Sequence, residues 1–375
     1  MKKTLGIISL LAAGIAQAAP SNEELQAQID QLRAQLEATA SAVENRAALT
    51  SPVKIGGYGE MHYGNSQEQG GEDTMDFHRF VLFFGKEIDA KTRFFSELEV
   101  EHVVASSDSG DKGEVELEQA YIEHDLSDSL KTKIGMFLVP VGILNETHEP
   151  DTFYGVERNN VERNIIPATW WEGGVALTGR NGMFAWDVAY HSGLNLDVAG
   201  GDYKIRDGRQ QVMEAEANNF AYTARLNVTP VAGVTLGAAV QYQEDVAQGA
   251  GIDAQLIEAH AVVQQGAFGL RALYAQWTLN DKINAVQDGA DKQNGFYVEP
   301  SFKATDKLGV FARYSSWDNL AGNSADSARN EQSVGANYWL AETVVLKADY
   351  VRTEDTSASS AKIADTINLG MGYSF

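Results

Sequence analysis

Cysteine is absent from the 375 residues, which excludes a disulfide scaffold. Bases are scarce: 29 lysines and arginines stand against 52 acids, a formal net charge of -23. A general nucleic-acid binder needs a clear basic patch for the phosphate backbone, so that class is set aside. The chain also lacks the roughly 20 consecutive apolar residues of a membrane-spanning helix. Its longest apolar stretch lies at the extreme N-terminus and is too short to span. With 44% hydrophobic and 22% charged residues it is no disordered polyanion and can bury a core. A large soluble β-rich protein or a closed membrane barrel is left.

The first residues read as an export address. Lys2 and Lys3 form a positive region, Leu5 to Ile15 an apolar one, and Ala16-Gln17-Ala18 a small-x-small cleavage pattern. Residues 1–18 are expected to be a signal peptide, with Ala19 the new N-terminus, because cleavage one bond later would put Pro20 first. An N-terminal membrane anchor is the alternative. Loss of the two lysines takes the formal charge from -23 to -25. Over 19–50 the spacing changes to a heptad. Leu25, Ile29, Leu32, Leu36 and Val43 recur at alternating steps of four and three, with Thr39 filling one step, and Ser21 with Glu24 makes a capping box. A periplasmic coiled-coil helix is expected here, with three chains, the alternative being a solitary amphipathic helix lying on its own barrel.

From residue 52 the period becomes two. In Phe220 to Val228 one parity holds Phe, Tyr, Ala, Leu and Val, and the other Ala, Thr, Arg and Asn, as if two faces met two solvents. The pattern returns about sixteen times without intervening helices, and short turns alternate with long polar loops. The expected fold is all-β: a 16-stranded antiparallel transmembrane β-barrel over 51–375, preceded by the short coiled-coil helix. Tyr373 and the terminal Phe375 look like the β-signal read by outer-membrane assembly machinery. A soluble β-sandwich would not need outward aromatics such as Tyr190, Tyr222, Tyr242, Tyr314 and Tyr350 near the loop rim.

A barrel of this size leaves an aqueous channel. One long connection, 138–172, keeps apolar residues that an exposed loop would not, so it is expected to fold inward as the third loop. Glu146, Glu149, Asp151, Glu157, Arg158, Glu162 and Arg163 are then candidates for the pore constriction, unless Glu157-Arg158 and Glu162-Arg163 only hold the loop to the wall. Strand parity points Lys133, Arg225, Arg271, Arg313 and Lys347 inward as a basic belt. It faces an acidic wall of Glu97, Glu99, Glu101, Asp187, Glu258, Glu299 and Asp349, with Arg79 beside Glu97 or Glu99. Such a lining either orients anionic solutes or is a mixed-charge wall. No catalytic set emerges, so no enzyme is expected. The seven histidines look scattered, without metal-site spacing, and neither metal nor cofactor is expected.

Several segments carry a family resemblance. Phe77-His78-Arg79-Phe80, Phe94 to Glu99, Glu118-Gln119-Ala120-Tyr121 and above all Gly135 to Gly142 with Glu157-Arg158 resemble the phosphate-selective porin O and P family, over about 53–375. The resemblance implies a trimeric sixteen-stranded outer-membrane channel, in a family whose best-studied members pass phosphate or polyphosphate past arginines and lysines. Here the corresponding loop is acid-rich, with Arg158 and Arg163 its only arginines or lysines. The expected function is a passive diffusion porin in the outer membrane of a Gram-negative bacterium, passing small hydrophilic solutes with a mild, phosphate-like anion preference. Its expected partners are two further copies, outer-membrane lipid and lipopolysaccharide. A cation-preferring general porin and a structural tether acting through the coiled coil are the alternatives.

Overall fold

The computed structural model describes residues 52–66, 72–102, 113–198, 203–281, 288–356 and 362–375. The first strands are β1 (Lys54–Ser66), β2 (Thr74–Glu87), β3 (Thr92–Glu101), β4 (Val115–Ser127), β5 (Leu130–Leu138), β6 (Trp171–Asn181), β7 (Phe184–His191) and β8 (Ala221–Val231). The chain continues through β9 (Val234–Gln243), β10 (Ile252–Gln265), β11 (Phe268–Asp281), β12 (Lys292–Lys303), β13 (Leu308–Asp318), β14 (Arg329–Ala341), β15 (Val344–Asp355) and β16 (Lys362–Ser374). Each strand pairs antiparallel with the next, and β1 pairs with β16, closing the barrel.

The sixteen-stranded antiparallel barrel is as expected, but the expected fold class is corrected in one respect. The helices among the described residues are a single turn, α1 (Val161–Asn164), and a 3-10 turn at Ile205–Gly208. No coiled-coil helix is thus found among the described residues; residues 1–50, which carry the expected signal peptide and heptad, lie outside them.

Alternation explains both faces of the wall. On β8, Tyr222 and Leu226 are 58% and 46% exposed, whereas Thr223 is 1% exposed. Apolar side chains on the outward parity suit lipid, and a closed barrel leaves no unpaired backbone edge in hydrocarbon. Short hairpins join strands at one rim, with Gly182 and Gly266 supplying φ values of 58° and 59° that other residues adopt at a cost. At the seam, Phe375 and Gly57 exchange backbone bonds of 2.9 and 3.0 Å. A Cβ on Gly59 would lie 2.6 Å from the Tyr373 hydroxyl, so glycine there makes room for the ring. The terminal aromatics thus take part in closure.

The lumen is only partly open. Val139, Val161, Ile165, Ile166 and Trp170 from the β5–β6 connection, with Leu194, Leu196 and Ile205 from the β7–β8 connection, pack against Leu256, Trp277 and Tyr297 of β10 to β12. Trp170 and Trp277 are fully buried. Each large apolar side chain buried this way stabilises the packing by about 1.5–3 kcal/mol. An apolar core therefore fills the β10–β12 side at the long-loop rim.

Candidate functional site

The β5–β6 connection closes on itself before it meets the wall. Val139 N–H donates to the Trp170 carbonyl at 2.9 Å. Asn145 ties the same two ends: its Nδ2 donates to both carbonyls at 2.8 and 2.9 Å, and its Oδ1 accepts from Trp170 N–H at 2.7 Å. Glu162, fully buried on α1, accepts from the amides of Ile143 and Leu144 at 2.8 and 2.6 Å and from the Tyr297 hydroxyl at 2.7 Å. A carboxylate satisfied by neutral donors is an internal anchor.

The wall then grips the loop backbone. Carbonyls of three successive residues, Thr152, Phe153 and Tyr154, accept from Arg271 (2.7 Å), Asn337 (3.0 Å) and Arg313 (2.6 Å). Val156 N–H donates to Asp349 at 2.6 Å, and Ser374 donates to Asp151 at 2.9 Å. Arg225 bridges Glu146 at 2.5 Å and Asp187 at 2.7 Å. The Lys347 ammonium sits 3.6 Å from the centroid of the Phe153 ring, and Lys133 lies 5.0 Å over Tyr121. Four of the five belt cations, Arg225, Arg271, Arg313 and Lys347, therefore touch the inward loop. On the acidic side, Glu299 pairs with Arg313 at 2.7 Å and Glu258 with His260 at 2.7 Å. The Glu149 carbonyl accepts from Thr152 within the loop.

A second knot joins β1–β4 to the loop. Fully buried Arg79 donates to Glu60 at 2.5 Å, to the Tyr58 hydroxyl at 3.1 Å and to the His148 carbonyl at 2.8 Å, with Glu99 3.8 Å away. Of the two acids expected beside Arg79, Glu99 is the one within ion-pair distance. Glu97 is held instead by Gln119 at 2.5 Å, while the neighbouring Glu101 is half-buried. His148 Nε2 lies 3.5 Å from Glu97 and 3.6 Å from Glu118, charge contacts rather than hydrogen bonds. Burial alone would lower the His148 pKa, but the Glu118 and Glu97 carboxylates outweigh it and raise it to about 10.

The guanidiniums with neutral partners lie higher, near the long-loop rim. Arg158 donates to Thr169 Oγ1 at 3.1 Å, and Arg206 to the carbonyls of Arg163 and Ala168 at 3.1 and 3.0 Å. Arg209 donates to the carbonyls of Thr169 and Arg206. Burial and then the repulsion of Arg209, Arg163 and Arg158 press the Arg206 pKa downward, though an arginine stays charged at neutral pH. A cleft of about 470 Å³ at this rim is lined by Arg163, Lys204, Arg206, Arg329 and Lys362 against Asp207 and Asp355. A second, of about 220 Å³, carries Arg158, Arg163 and Arg313 against Glu157, Glu331 and Asp349. Asn160 and Arg163 line both.

Of the expected constriction residues, Glu157, Arg158 and Arg163 line these clefts, while Glu146, Asp151 and Glu162 are held in anchoring contacts. Lys204, Arg206, Arg209, Arg329 and Lys362 were not among the expected site residues. A run of three bases, Lys204, Arg206 and Arg209, inside an otherwise acidic loop was the available signal. The histidines are also less scattered than their spacing suggests: His62 stacks on His78, and His78 meets His102 edge-on.

A closed sixteen-stranded barrel with an apolar outer belt, one long-looped rim and a charged lumen has the architecture of an outer-membrane channel. The chain belongs to the phosphate-selective porin O and P family, whose sequence profile matches residues 53–375. An uncharacterized protein of Aquifex aeolicus (strain VF5) is 30% identical over 336 residues, covering 80% of this chain and 76% of that one. Among solved structures, the anion-selective porin from Comamonas acidovorans is similar, with a TM-score of 0.62 at 14% identity, covering 87% of this chain and 100% of that one. OmpT of Vibrio cholerae in its trimer form matches with a TM-score of 0.58 at 13% identity, over 87% and 99% of the two chains. The outer-membrane channel DcaP of Acinetobacter baumannii matches with a TM-score of 0.60 at 14% identity, over 87% and 97%. At these identities the structures share a fold, and the family profile carries the assignment.

Proposed function

We propose that this porin passes small hydrophilic anions, phosphate-like ones among them, along the two clefts that share Asn160 and Arg163. The observation that carries the reading is the partnering of the arginines: Arg158, Arg206 and Arg209 spend hydrogen bonds on hydroxyl and carbonyl oxygens, so their charge is not cancelled by those bonds. Positive groups crowded in a narrow, low-dielectric passage focus a local potential that attracts anions despite the net charge of -23. Guanidinium forks also match phosphate oxygens in geometry. We further propose a homotrimer set in lipid and lipopolysaccharide, a reading supported by the trimer form recorded for OmpT.

The zero-current potential of the purified protein in a planar bilayer under a KCl gradient tests the selectivity. Chloride preference is expected, and inorganic phosphate should reduce the chloride current. Reversing the shared charge, Arg163→Glu, should lower the chloride-to-potassium permeability ratio severalfold. Potassium preference of the unaltered protein would overturn the proposal.

A further inference from the structure

Strand register draws three distant histidines together on β1–β3. Pairing of β1 with β2 sets His62 opposite Asp76, and pairing of β2 with β3 sets Arg79 opposite Glu101. His102 follows Glu101, takes a φ of 48°, and donates its N–H to the His78 carbonyl at 2.9 Å. The ring centroids of His62 and His78 are 4.7 Å apart, and those of His78 and His102 5.2 Å. Carboxylates lie among them: Asp76 Oδ2 is 3.2 Å from His78 Nδ1 and 2.7 Å from His102 Nδ1, and Glu157 Oε1 is 2.7 Å from His62 Nδ1.

We propose that this cluster is a binding site for a divalent transition-metal ion of the zinc and copper class, with His78 common to two ligand sets. In one set the donor atoms of His62, His78 and Glu157 lie within 4.8 Å of one another; in the other, those of Asp76, His78 and His102 do. Ligand atoms at about 2.0–2.1 Å from a tetrahedral zinc stand about 3.3 Å apart, so the 3.2 Å spacing of His78 and Asp76 is already such an edge. Three imidazoles with two carboxylates select zinc, copper or nickel over magnesium and calcium, which want oxygen throughout.

The donor atoms of the cluster are already drawn together, and one of them has no hydrogen bond. His62 is 9% exposed and its Nδ1 makes no hydrogen bond, although the Glu157 carboxylate is at hand. One oxygen of Asp76 is in hydrogen-bond contact with two imidazole nitrogens, so both rings already converge on a single carboxylate oxygen. Behind His62, Nε2 lies 3.2 Å from Glu60, itself fixed by Arg79, and a carboxylate on the far nitrogen is the usual orienting support of a ligating histidine. A cleft of about 230 Å³ bordered by His62, Asp76, Glu157 and Asn368 gives an ion and its remaining waters a way in. Because Glu157 belongs to the inward loop and the histidines to the wall, a bound ion would pin the loop and change the pore.

Calorimetric titration of untagged full-length protein in detergent with ZnCl2, with MgCl2 as control, tests the site. Saturable zinc binding is expected, weakened about tenfold or more in His78→Ala and insensitive to magnesium. His102→Gln, at a strand end, should weaken it similarly and carries the test if His78→Ala does not fold, as judged by heat-modifiable gel mobility. His124, His148, His191 and His260 remain in both variants and measure stray binding. Micromolar ZnCl2 should also reduce single-channel conductance of the unaltered protein but not of His102→Gln. Absence of saturable binding, or equal binding by the unaltered protein and the variants, would overturn the site.

Discussion

Glu162 shows how one buried carboxylate organises a pore. Its oxygens accept from two loop amides and from Tyr297 across the lumen, and its own amide donates to Asn159 Oδ1 at 2.9 Å. Removal leaves four donors without this acceptor, the two amides, the Tyr297 hydroxyl and Asn159 Nδ2 at 3.4 Å, at about 1–3 kcal/mol for each one left buried and unpaired. Glu162→Ala should therefore lower the urea midpoint of the folded barrel and raise and destabilise single-channel conductance, whereas Glu162→Gln, with one oxygen left to accept, should fall between. Unchanged conductance in Glu162→Ala would mean that the apolar packing of Ile165 and Trp170 holds the loop without it. In the sequence Glu162 looks the same as Glu157, one more acid beside an arginine. Only the docked loop separates the two: Glu162 is buried against Tyr297, 135 residues away, whereas Glu157 stays exposed beside His62.

Strands and loops differ in how openly they are written. All sixteen strands follow from parity, since whether a residue faces lipid or lumen is decided by its immediate neighbours. The inward direction of Arg225, Arg271 and Arg313 follows the same rule; that they grip Glu146, Thr152 and Tyr154 does not, because the loop path is set by packing against β10–β12. His148, inside that loop, makes its seat dependent on pH. Its raised pKa of about 10, against about 6.5 unfolded, means that the stabilisation is complete below pH 6.5 and is lost as pH rises through about 10. Deprotonation leaves Glu97 and Glu118 buried without their cation. Conductance should thus be steady from pH 6 to 8 and become noisier or larger toward pH 10, and His148→Gln should show the high-pH behaviour already at pH 7. A His148→Gln channel with the unaltered pH profile would assign the transition to another group.

At the scale of the whole molecule two fields of opposite sign compete for the same ion, and ionic strength decides between them. One belongs to the arginines of the rim cleft and acts over a few ångströms; the other belongs to the chain as a whole, which carries a formal charge of -23. The Debye length is about 30 Å at 0.01 M salt, about 10 Å at 0.1 M and about 3 Å at 1 M. At the lowest salt the diffuse acidic charge reaches the pore mouth and opposes the arginines. At intermediate salt it is screened, while Arg158, Arg163 and Arg206, at the wall of a narrow passage, still act on an ion beside them. At 1 M even they are largely screened. The chloride-to-potassium permeability ratio should accordingly pass through a maximum near 0.1 M, an outcome measured by repeating the zero-current potential at three mean concentrations with a fixed gradient. In Arg163→Glu the maximum should flatten, and the ratio should change most at the lowest salt, where the altered charge is least screened, and least at 1 M. A ratio that only falls from the lowest salt upward would mean that the acidic charge sits too far from the mouth to matter, leaving the local arginines as the only field that selects.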